Sequence, residues 1–431
     1  MARGNLFASN RVRRFTAVYP KAGFMLTNRR HFLKTTAAAA ALPASTVIGA
    51  NDRIRIGAIG TGNRCKYLLQ LLQNIPGNQV TAVCDIYEPH RDEARLRFAS
   101  YATEYVDYRR LLEDKEVDAV VIGAPDHWHS TMAIAAVQAG KDVYVEKPVT
   151  HSLDEGVTLG RAIAASKQVV QVGMQQRSWP HIVEAKAIVD SGALGQITFI
   201  ETHWYQNYVQ RRVTPPEIEL SKLDWGMFLG TAPPQPFDPF RYSNWRYYWD
   251  FGGGALTDLF THWIDVVQWY MDSNIPSSAT VTGDRYRLPN QECPDTLCAS
   301  YLYPGRFQVI FHTSLISVLA GGGITLRGTE GMLRVERDGY AFYPEPASYT
   351  ESLELPLPAR QVRLAHVDGT KDHLQNFLDC VRSRKLPNAH VWVGIDAARP
   401  GQMGNLSYRE NRTITSQSLP LAEDSEREVC Y

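Results

Sequence analysis

One stretch constrains the fold more than any other: an apolar strand pattern that runs directly into a glycine turn and then into a helix pattern. Ile54–Ile59 is apolar and biased toward β-branched residues, as expected of a buried strand. The turn Gly60-Thr61-Gly62-Asn63-Arg64-Cys65 follows, and residues 67–72 give one apolar helical face. Gly60 allows a tight turn, and Gly62 lets a pyrophosphate approach the helix N-terminus. The sequence therefore predicts a dinucleotide-binding unit.

This unit departs from the usual glycine pattern at one position. Cys65 stands where a third glycine serves close packing of helix on strand, and its small side chain weakens the motif without removing it. The next strand pattern ends at Asp85, 23 residues after Gly62. A carboxylate there binds the ribose 2′-hydroxyl of NAD and repels the 2′-phosphate of NADP. NAD is the expected cofactor and NADP the alternative; a solvated loop aspartate is the alternative interpretation of Asp85.

Strand and helix patterns keep alternating to about residue 172. Strand patterns at Ala119–Ala124 and Asp142–Val145 flank a helix pattern from about Ser130 to Gly140, and Val169–Gly173 gives a further strand. This alternation predicts a doubly wound parallel sheet of the Rossmann type, in which ligands bind beyond the carboxyl ends of the strands. The polar segments at those ends are Asp85, Asp126–His129 and Glu146–Pro148.

Beyond residue 173 the pattern becomes that of an α+β domain with a large, mostly antiparallel sheet. Six of the nine tryptophans lie between residues 201 and 275. Most are expected to pack in a core, but aromatic faces also stack on sugar rings. Candidate substrate-binding residues are Arg177, Tyr205, Asn207, Trp245, Arg246 and Tyr248. The predicted division is a signal region at 1–50, the dinucleotide domain at 51–172, the second domain at 173–395, and a C-terminal helix and tail at 396–431.

Several segments resemble the Gfo/Idh/MocA oxidoreductases, the family named for glucose–fructose oxidoreductase and inositol dehydrogenase. They are Gly60–Arg64, Cys84-Asp85, Pro125–His129 and Ala139–Pro148. The resemblance covers about residues 53 to 415. It implies oxidation of a carbinol carbon of a sugar, polyol or glycoside by a tightly bound nicotinamide cofactor, in a homo-oligomer (dimer or tetramer). The cofactor-binding residues that it indicates, with the glycine turn, are Gly60, Gly62, Asn63, Arg64, Asp85, Pro125, His129, Glu146, Lys147 and Gln175.

A helix pattern after three glycines places Asp258 and His262 four residues apart on one face. A carboxylate beside a histidine suits a general base. A packed histidine after a helix-terminal aspartate is the alternative. Because Asp265 could join the same face, a metal site is another alternative interpretation. No cysteine or third ligand nearby supports a metal site, so we expect no metal. The resemblance implies that Lys147, Asp258 and His262 are catalytic, with His262 taking the hydroxyl proton. Phe260 stands where many relatives have glycine, which leaves the pocket shape open.

The N-terminus has the composition of an export signal. Residues 1–34 hold eight basic residues and no acidic one, and the pair Arg29-Arg30 precedes a mild apolar stretch, Thr35–Ala50. This resembles a twin-arginine signal, which predicts export to the periplasm or beyond. An amphipathic helix is the alternative, and Met1 and Met25 are both candidate starts.

The rest of the chain is acidic. Once the eight basic residues of the signal region are set aside, 37 basic residues remain against 45 acidic ones. This balance argues against a nucleic-acid partner and against attachment to anionic membranes. The sequence has no apolar run of 18 residues, so we expect no stable membrane span.

Export and a dinucleotide site conflict, because no free NAD pool exists outside the cytoplasm to renew the cofactor. A cofactor that stays bound and is recycled within each turnover resolves the conflict. We predict a sugar oxidoreductase; the alternatives are a redox-neutral NAD-dependent glycosidase and a non-enzymatic sugar or cofactor sensor. The family's glycosidases tend to lack the lysine that this chain keeps as Lys147, which favours the oxidoreductase. The intact catalytic group argues against the sensor.

Overall fold

The computed structural model describes residues 53–208, 215, 217–288, 290–305, 307–318, 321–347, 359, 361–364 and 368–420. These residues belong to one compact unit, Ala50–Tyr431. The predicted signal region at 1–50 and the tail beyond residue 420 lie outside the described residues.

The first sheet is parallel and has six strands. They are β1 Ile54–Ile59, β2 Asn78–Cys84, β3 Thr103–Tyr105, β4 Ala119–Ile122, β5 Asp142–Val145 and β6 Val170–Val172. Their order in the sheet is β3-β2-β1-β4-β5-β6. The intervening helices are α1 Asn63–Leu72, α2 Glu88–Phe98, α3 Tyr108–Glu113, α4 Asp126–Gln138 and α5 Leu153–Ala164. Every residue of β4 and β5 is buried, which explains their continuous apolar character. The predicted doubly wound sheet is confirmed, and its order reverses between β1 and β4, where such sheets bind ligands.

The glycine turn between β1 and α1 has the shape that its sequence predicts. Gly60 has φ +73°, and a Cβ there would lie 2.6 Å from the backbone nitrogen of Ala124. A Cβ on Gly62 would meet nothing within 4 Å, so this side of the turn is open to a ligand. Cys65 is fully buried and faces Gly123, where an added Cβ would come within 2.9 Å of the Cys65 Cβ. A glycine on the opposing strand end thus makes room for the cysteine.

The second sheet has nine strands and is mostly antiparallel, as predicted. They are β7 Ile197–Tyr205, β8 Ser278–Asp284, β9 Thr296–Tyr303, β10 Phe307–Ser314, β11 Gly322–Gly328, β12 Gly331–Glu336, β13 Gly339–Pro344, β14 Gln361–Leu364 and β15 Ile414–Thr415. The order is β14-β13-β12-β11-β7-β10-β9-β8-β15, and β7 pairs with β10 in parallel. Burial alternates along β9 and β10, so one face of the sheet covers a core.

The helices that the structure describes beyond β6 are α6 Pro180–Asp190, α7 Trp225–Leu229, α8 Pro239–Ser243, α9 Thr261–Met271, α10 Thr370–Ser383 and α11 Val391–Glu410. Helix α11 begins five residues before the boundary at 396. It packs against β8 and α9 on one side and against α5 and β6 on the other. Gly394 allows this closeness, because a Cβ there would lie 2.6 Å from Val172 Cγ2. The helix therefore ties the two sheets together.

Helix α4 begins earlier than the sequence pattern suggested. It starts at Asp126, directly after Pro125, and not near Ser130. The first turn is polar in sequence but buried in the fold, because tertiary contacts hold His127 and Trp128. Within the described residues, no helix has the length and apolar character needed to cross a bilayer.

Candidate active site

Two adjoining cavities open at the carboxyl ends of the parallel strands. The first has a volume of about 410 Å³ and the second about 370 Å³. The residues that line both are Arg64, Gly123, Ala124, Trp245 and Arg246. Since the strand order reverses here, the position is the one expected of a dinucleotide site.

The first cavity contains the glycine turn and the carboxylate at the end of β2. Of the predicted cofactor-binding residues, those in its lining are Gly60, Gly62, Asn63, Arg64, Asp85 and Pro125. Asp85 is buried; its Oδ1 accepts from the backbone N–H of Tyr87 at 2.8 Å, and its Oδ2 accepts from the hydroxyl of Thr61 at 3.3 Å. Burial raises the pKa of Asp85 above its usual value. The open Gly62 and the Asp85 carboxyl fit the pyrophosphate and the ribose of a dinucleotide.

The remaining predicted cofactor-binding residues line the second cavity. They are His129, Glu146, Lys147 and Gln175. Glu146 accepts from Arg64 Nε at 2.7 Å and from Gln175 Nε2 at 3.0 Å. The ring nitrogens of His129 lie 2.7 Å from the carbonyl oxygens of Ala124 and Pro148, so this histidine links the ends of β4 and β5. All ten predicted cofactor-binding residues thus lie around one continuous space.

Lys147 and Asp258 form a buried pair in the second cavity. Lys147 Nζ donates to Asp258 Oδ1 at 2.6 Å and to the Asp258 carbonyl oxygen at 2.7 Å. Arg246 Nε lies 3.4 Å from the same Oδ1. Burial opposes ionisation of Asp258, but the charges of Lys147 and Arg246 hold its pKa below the usual range. The carboxylate therefore neutralises and positions the lysine.

His262 lies in the same cavity, stacked on Trp204. The ring centroids are 5.8 Å apart with an angle of 19°. Residues Leu256–Phe260 form a π-helical turn before α9, a feature frequent at functional sites. Burial, followed by the positive charges of Lys147 and Arg337, lowers the pKa of His262 well below its usual value. A neutral imidazole beside a lysine is equipped to accept a proton at neutral pH.

Asp126 is a residue of the second cavity to which the sequence analysis assigned no role. It is 2% exposed, and its Oδ2 has no hydrogen-bond partner within the described structure. Burial, followed by the negative charge of Asp258, raises its pKa well above the usual value. The signal that could have identified it is an acid directly after Pro125 at a strand end.

Two of the six predicted substrate-binding residues line the cavities: Trp245 and Arg246. Arg177 instead binds Asp265, with 2.9 Å between Nε and Oδ1, so Asp265 does not join the Asp258–His262 face of the cavity. The Tyr205 hydroxyl lies 2.6 Å from His312 Nδ1 on the sheet.

The other two candidates lie elsewhere. Tyr248 donates its hydroxyl to the carbonyl oxygen of Asn290, and Asn207 is outside both cavity linings. Phe260 is fully buried between Tyr301 and Phe311 and does not line the cavities either. The substitution of phenylalanine for glycine therefore fills the core of the second domain.

The second cavity also contains residues that the sequence analysis missed. They are Gln176, Trp179, Trp204, Gln206, Tyr208, Arg337, Asp368 and Thr370. Arg337, in the turn between β12 and β13, lies over the rings of Trp179 and Trp204 at 5.3 and 5.4 Å. The cavity residues missed from the sequence come from separate elements of the second domain, so no local sequence signal grouped them. In the described part of the chain, no group of three or more His, Cys, Asp or Glu side chains is arranged to hold a metal.

Comparisons with known proteins agree with this geometry. Residues 54–174 match the family model described as "Oxidoreductase family, NAD-binding Rossmann fold", and residues 182–334 match the "GFO/IDH/MocA C-terminal domain". Residues 27–46 match the twin-arginine translocation pathway signal sequence, which confirms the predicted signal.

Relatives and solved structures extend the likeness. Inositol 2-dehydrogenase of Salmonella typhimurium is 34% identical over 183 residues, 40% of this chain and 52% of that protein. Inositol 2-dehydrogenase 2 of Saccharopolyspora erythraea is 27% identical over 355 residues, 80% of this chain and 90% of that protein. The chain thus spans about half the length of the first relative and nine tenths of the second.

A structure of levoglucosan dehydrogenase in complex with NADH and levoglucosan shares the fold, with a TM-score of 0.68, 16% identity, and coverage of 86% of this chain and 100% of that one. The two family models match both domains of the fold. Together with the site geometry, they show that the chain belongs to the Gfo/Idh/MocA family of oxidoreductases and carries an NAD-binding Rossmann domain.

Proposed function

We propose that this protein oxidises a carbinol carbon of a sugar, polyol or glycoside with NAD. His262 is the general base in this proposal, and Lys147 polarises the substrate oxygen. The observation that carries the proposal is the convergence of Lys147, Asp258 and His262 in a cavity that adjoins the dinucleotide cavity and shares lining residues with it. The names of the inositol dehydrogenases similar to this chain support the substrate class.

The proton of the substrate hydroxyl goes to His262 in this proposal. The imidazole must be neutral to accept it, and its lowered pKa supplies that state at neutral pH. Loss of the proton has to accompany loss of hydride, because the carbon becomes a carbonyl. The nicotinamide ring, when bound, supplies the hydride acceptor.

Lys147 positions and polarises the substrate oxygen in this proposal. An ammonium group has three N–H donors, and Asp258 accepts two of them, one at its carboxylate and one at its carbonyl oxygen. The third donor remains for the substrate hydroxyl. The positive charge of the Lys147 ammonium group also stabilises the negative charge that develops on the substrate oxygen as the proton leaves.

The residues fit NAD better than NADP. Asp85 lies in the first cavity at the end of β2, where a carboxylate accepts from the 2′-hydroxyl and repels a 2′-phosphate. The glycine turn, Asn63 and Arg64 would hold the pyrophosphate end, and the residues around Glu146 would hold the nicotinamide end.

The signal sequence supports export of the folded protein by the twin-arginine route, to the periplasm or the exterior. We propose that the cofactor is loaded before export and is recycled by a second substrate. A homo-oligomer remains a prediction, as do the domain boundaries at 50, 172 and 395.

The test is a survey of cyclitols, aldoses and glycosides with purified protein, followed by absorbance of reduced nicotinamide at 340 nm. Wild-type protein should reduce its bound NAD in a single turnover with at least one compound. His262→Ala should slow that turnover by roughly 10²- to 10⁴-fold, the range typical of a lost general base. Unchanged turnover by His262→Ala would show that another group is the base.

Asp126 favours a second candidate, the redox-neutral glycosidase. Oxidation of one carbon acidifies its neighbour, and elimination then needs an acid for the departing oxygen. Asp126, buried in the cavity of His262 with its pKa raised by burial and by the charge of Asp258, is the candidate for that acid. Release of the aglycone from a nitrophenyl glycoside in D₂O, with deuterium incorporated into the sugar, would favour this candidate. Reduction of NAD without aglycone release would exclude it.

A further inference from the structure

A segment of the second domain walls the dinucleotide cavity opposite the glycine turn. We call residues 217–251 the cover segment. Its members that line the first cavity are Glu217, Ile218, Met227, Phe228, Tyr242, Ser243, Trp245 and Arg246. The Rossmann side supplies the other wall, including the glycine turn and Asp85. A dinucleotide in this cavity would therefore lie between two parts of the chain.

Two side chains of the Rossmann domain hold the cover segment at the carbonyl group of Phe228. The Phe228 carbonyl oxygen accepts from Trp128 Nε1 at 3.0 Å and lies 2.9 Å from His127 Nε2. Burial lowers the pKa of His127 to about 4, so the ring is neutral at neutral pH. Because a carbonyl only accepts, the proton of His127 is on Nε2, and both bonds run from α4 to the cover segment.

Two further contacts fix its edge. The backbone N–H of Asp224 donates to the carbonyl oxygen of Ile86 at 3.1 Å, and Leu223 forms an antiparallel β-bridge with Tyr87. The Rossmann-domain partners in these contacts, Ile86 and Tyr87, directly follow Asp85 in the sequence. The cover segment is therefore attached beside the carboxylate expected to bind the ribose.

The other end of the cover segment is held by the second domain. Arg241 donates to Glu292 Oε1 at 2.6 Å, and the Tyr248 hydroxyl donates to the carbonyl oxygen of Asn290 at 2.8 Å. Glu292 Oε2 also accepts from the backbone N–H of Trp249 at 2.8 Å. An apolar cluster fills the interior between the two ends: Phe228, Leu229, Tyr248 and Phe251. The segment thus has its own core and is anchored at both ends.

We propose that the cover segment retains the dinucleotide, so that NAD is a resident group that does not exchange freely with solvent. The inference rests on the proposed NAD site and adds a function for residues 217–251. Opening this wall requires breaking the two hydrogen bonds to the Phe228 carbonyl, the bond from the backbone N–H of His127 to the Phe251 carbonyl oxygen and the contacts at Ile86 and Tyr87, and exposing part of the apolar cluster. These contacts add to the barrier for release and slow the dissociation rate. Retention of this kind matches the requirement of an enzyme exported without a cofactor supply.

The test measures exchange of bound NAD with isotopically labelled NAD. Full-length protein is purified, mixed with an excess of labelled NAD, and sampled over time. Mass spectrometry then gives the fraction of the protein-bound NAD that carries the label. Wild-type exchange should take on the order of hours, at the slow end of residence times. Exchange of the wild-type protein within seconds would overturn the inference.

Two substitutions weaken the same contact in different ways. Trp128→Phe keeps a ring but removes the donor to Phe228, and should speed exchange about three- to tenfold, as expected for one buried hydrogen bond. Gly230→Ala places a Cβ 2.5 Å from Trp128 Cζ2 and strains a residue with φ +58°, so it should speed exchange at least as much. Wild-type exchange rates in both variants would contradict the inference.

Trp225→Phe is the matched control. Trp225 Nε1 donates at 2.8 Å to the carbonyl oxygen of Gln235, within the cover segment, so this variant loses the same kind of bond without touching the Rossmann domain. It should exchange NAD at the wild-type rate, and a faster rate equal to that of Trp128→Phe would contradict the assignment of retention to the Phe228 contact. The readout needs no substrate. An active enzyme that exchanges NAD rapidly would overturn retention alone, whereas protein that binds no NAD would overturn the proposed function.

Discussion

The ammonium of Lys147 lies 2.6 Å from Oδ1 of Asp258, and this contact joins the two domains at the candidate active site. Lys147 follows β5 of the parallel sheet, whereas Asp258 belongs to the π-helical turn before α9. Their side chains are 10% and 12% exposed, so water and salt screen the attraction little. The same contact both joins the two domains and holds the lysine in the position of its proposed role.

Removal of one partner should therefore affect stability and activity together. In Lys147→Met, the Asp258 carboxylate keeps Arg246 at 3.4 Å but loses its main partner. We expect the free energy of unfolding to fall by roughly 3 kcal/mol, as for other broken buried pairs, and kcat to fall at least about 100-fold. In the double variant Lys147→Met with Asp258→Asn, the carboxylate that lost its lysine is also removed, and only the partly exposed Arg246 loses a partner, so stability should be partly restored. Additive losses in denaturant unfolding would contradict this coupling.

The pH dependence of the reaction should reflect the lowered pKa of His262. A base with a lowered pKa stays neutral as the pH falls past 6.5, the ordinary value of histidine, and protonates only in more acidic solution. The acid limb of the single-turnover rate of NAD reduction against pH should therefore lie well below pH 6.5. An acid limb at or above pH 6.5, measured at saturating substrate, would contradict the assignment.

Asp126 should lower stability at neutral pH. Its folded-state pKa is raised, so the folded protein binds this proton more tightly than the unfolded chain. The bound proton of Asp126 thus adds to the free energy of unfolding below the pKa of the unfolded chain, about 3.9. This stabilisation is lost as the pH rises toward the pKa of Asp126 in the folded protein. Asp126→Asn removes the titration and should unfold at a higher temperature than wild type at pH 7.5. A gain of about 1.4 kcal/mol is expected for each unit of pKa shift, and it should shrink toward pH 4.5.

Asp265→Asn is the contrasting variant for this measurement. Asp265 is also buried and its pKa is also raised by burial, but Arg177 contacts both of its carboxylate oxygens. Asp265→Asn leaves Arg177 without its partner, which offsets the relief of desolvation, so its gain in stability at pH 7.5 should be smaller than that of Asp126→Asn. Equal effects of the two substitutions would show that the partner of each carboxyl does not matter.

Asp85 should set the preference for NAD. Asp85→Ser removes the carboxylate that accepts from the ribose and repels a phosphate. The preference for NAD over NADP, measured as a ratio of dissociation constants, should fall about 10- to 100-fold, the range for a hydrogen bond to a charged group. An unchanged ratio would show that the ribose lies elsewhere.

The sequence predicted the Rossmann domain and its cofactor cavity because both depend on local patterns. The glycine turn, Asp85 and the Glu146-Lys147 segment follow individual strands, and parallel strands bring their carboxyl ends to one edge. Lys147, Asp258 and His262 were grouped by resemblance to a family, and the structure brings all three to one cavity.

The substrate-binding candidates depended on tertiary partners that no local pattern specifies. Arg177 was a candidate as an arginine beside aromatic residues, but it forms an ion pair with Asp265. Tyr205 was a candidate as an aromatic residue, but its hydroxyl lies within hydrogen-bonding distance of His312. Arg337 was missed because it belongs to a turn between two strands and reaches the cavity by stacking on Trp179 and Trp204. Residues from several distant elements cannot be assembled from spacing alone.

Transfer of deuterium from substrate carbon to bound nucleotide tests the central claim most directly. Purified protein is incubated with cyclitols and aldoses deuterated at their carbinol carbons, with no second substrate present, and the released nucleotide is weighed. We predict reduced NAD carrying one deuterium with at least one compound in the wild-type protein, and none in His262→Ala. Protein that retains NAD but acquires no deuterium from any of these compounds would contradict hydride transfer from a carbinol carbon.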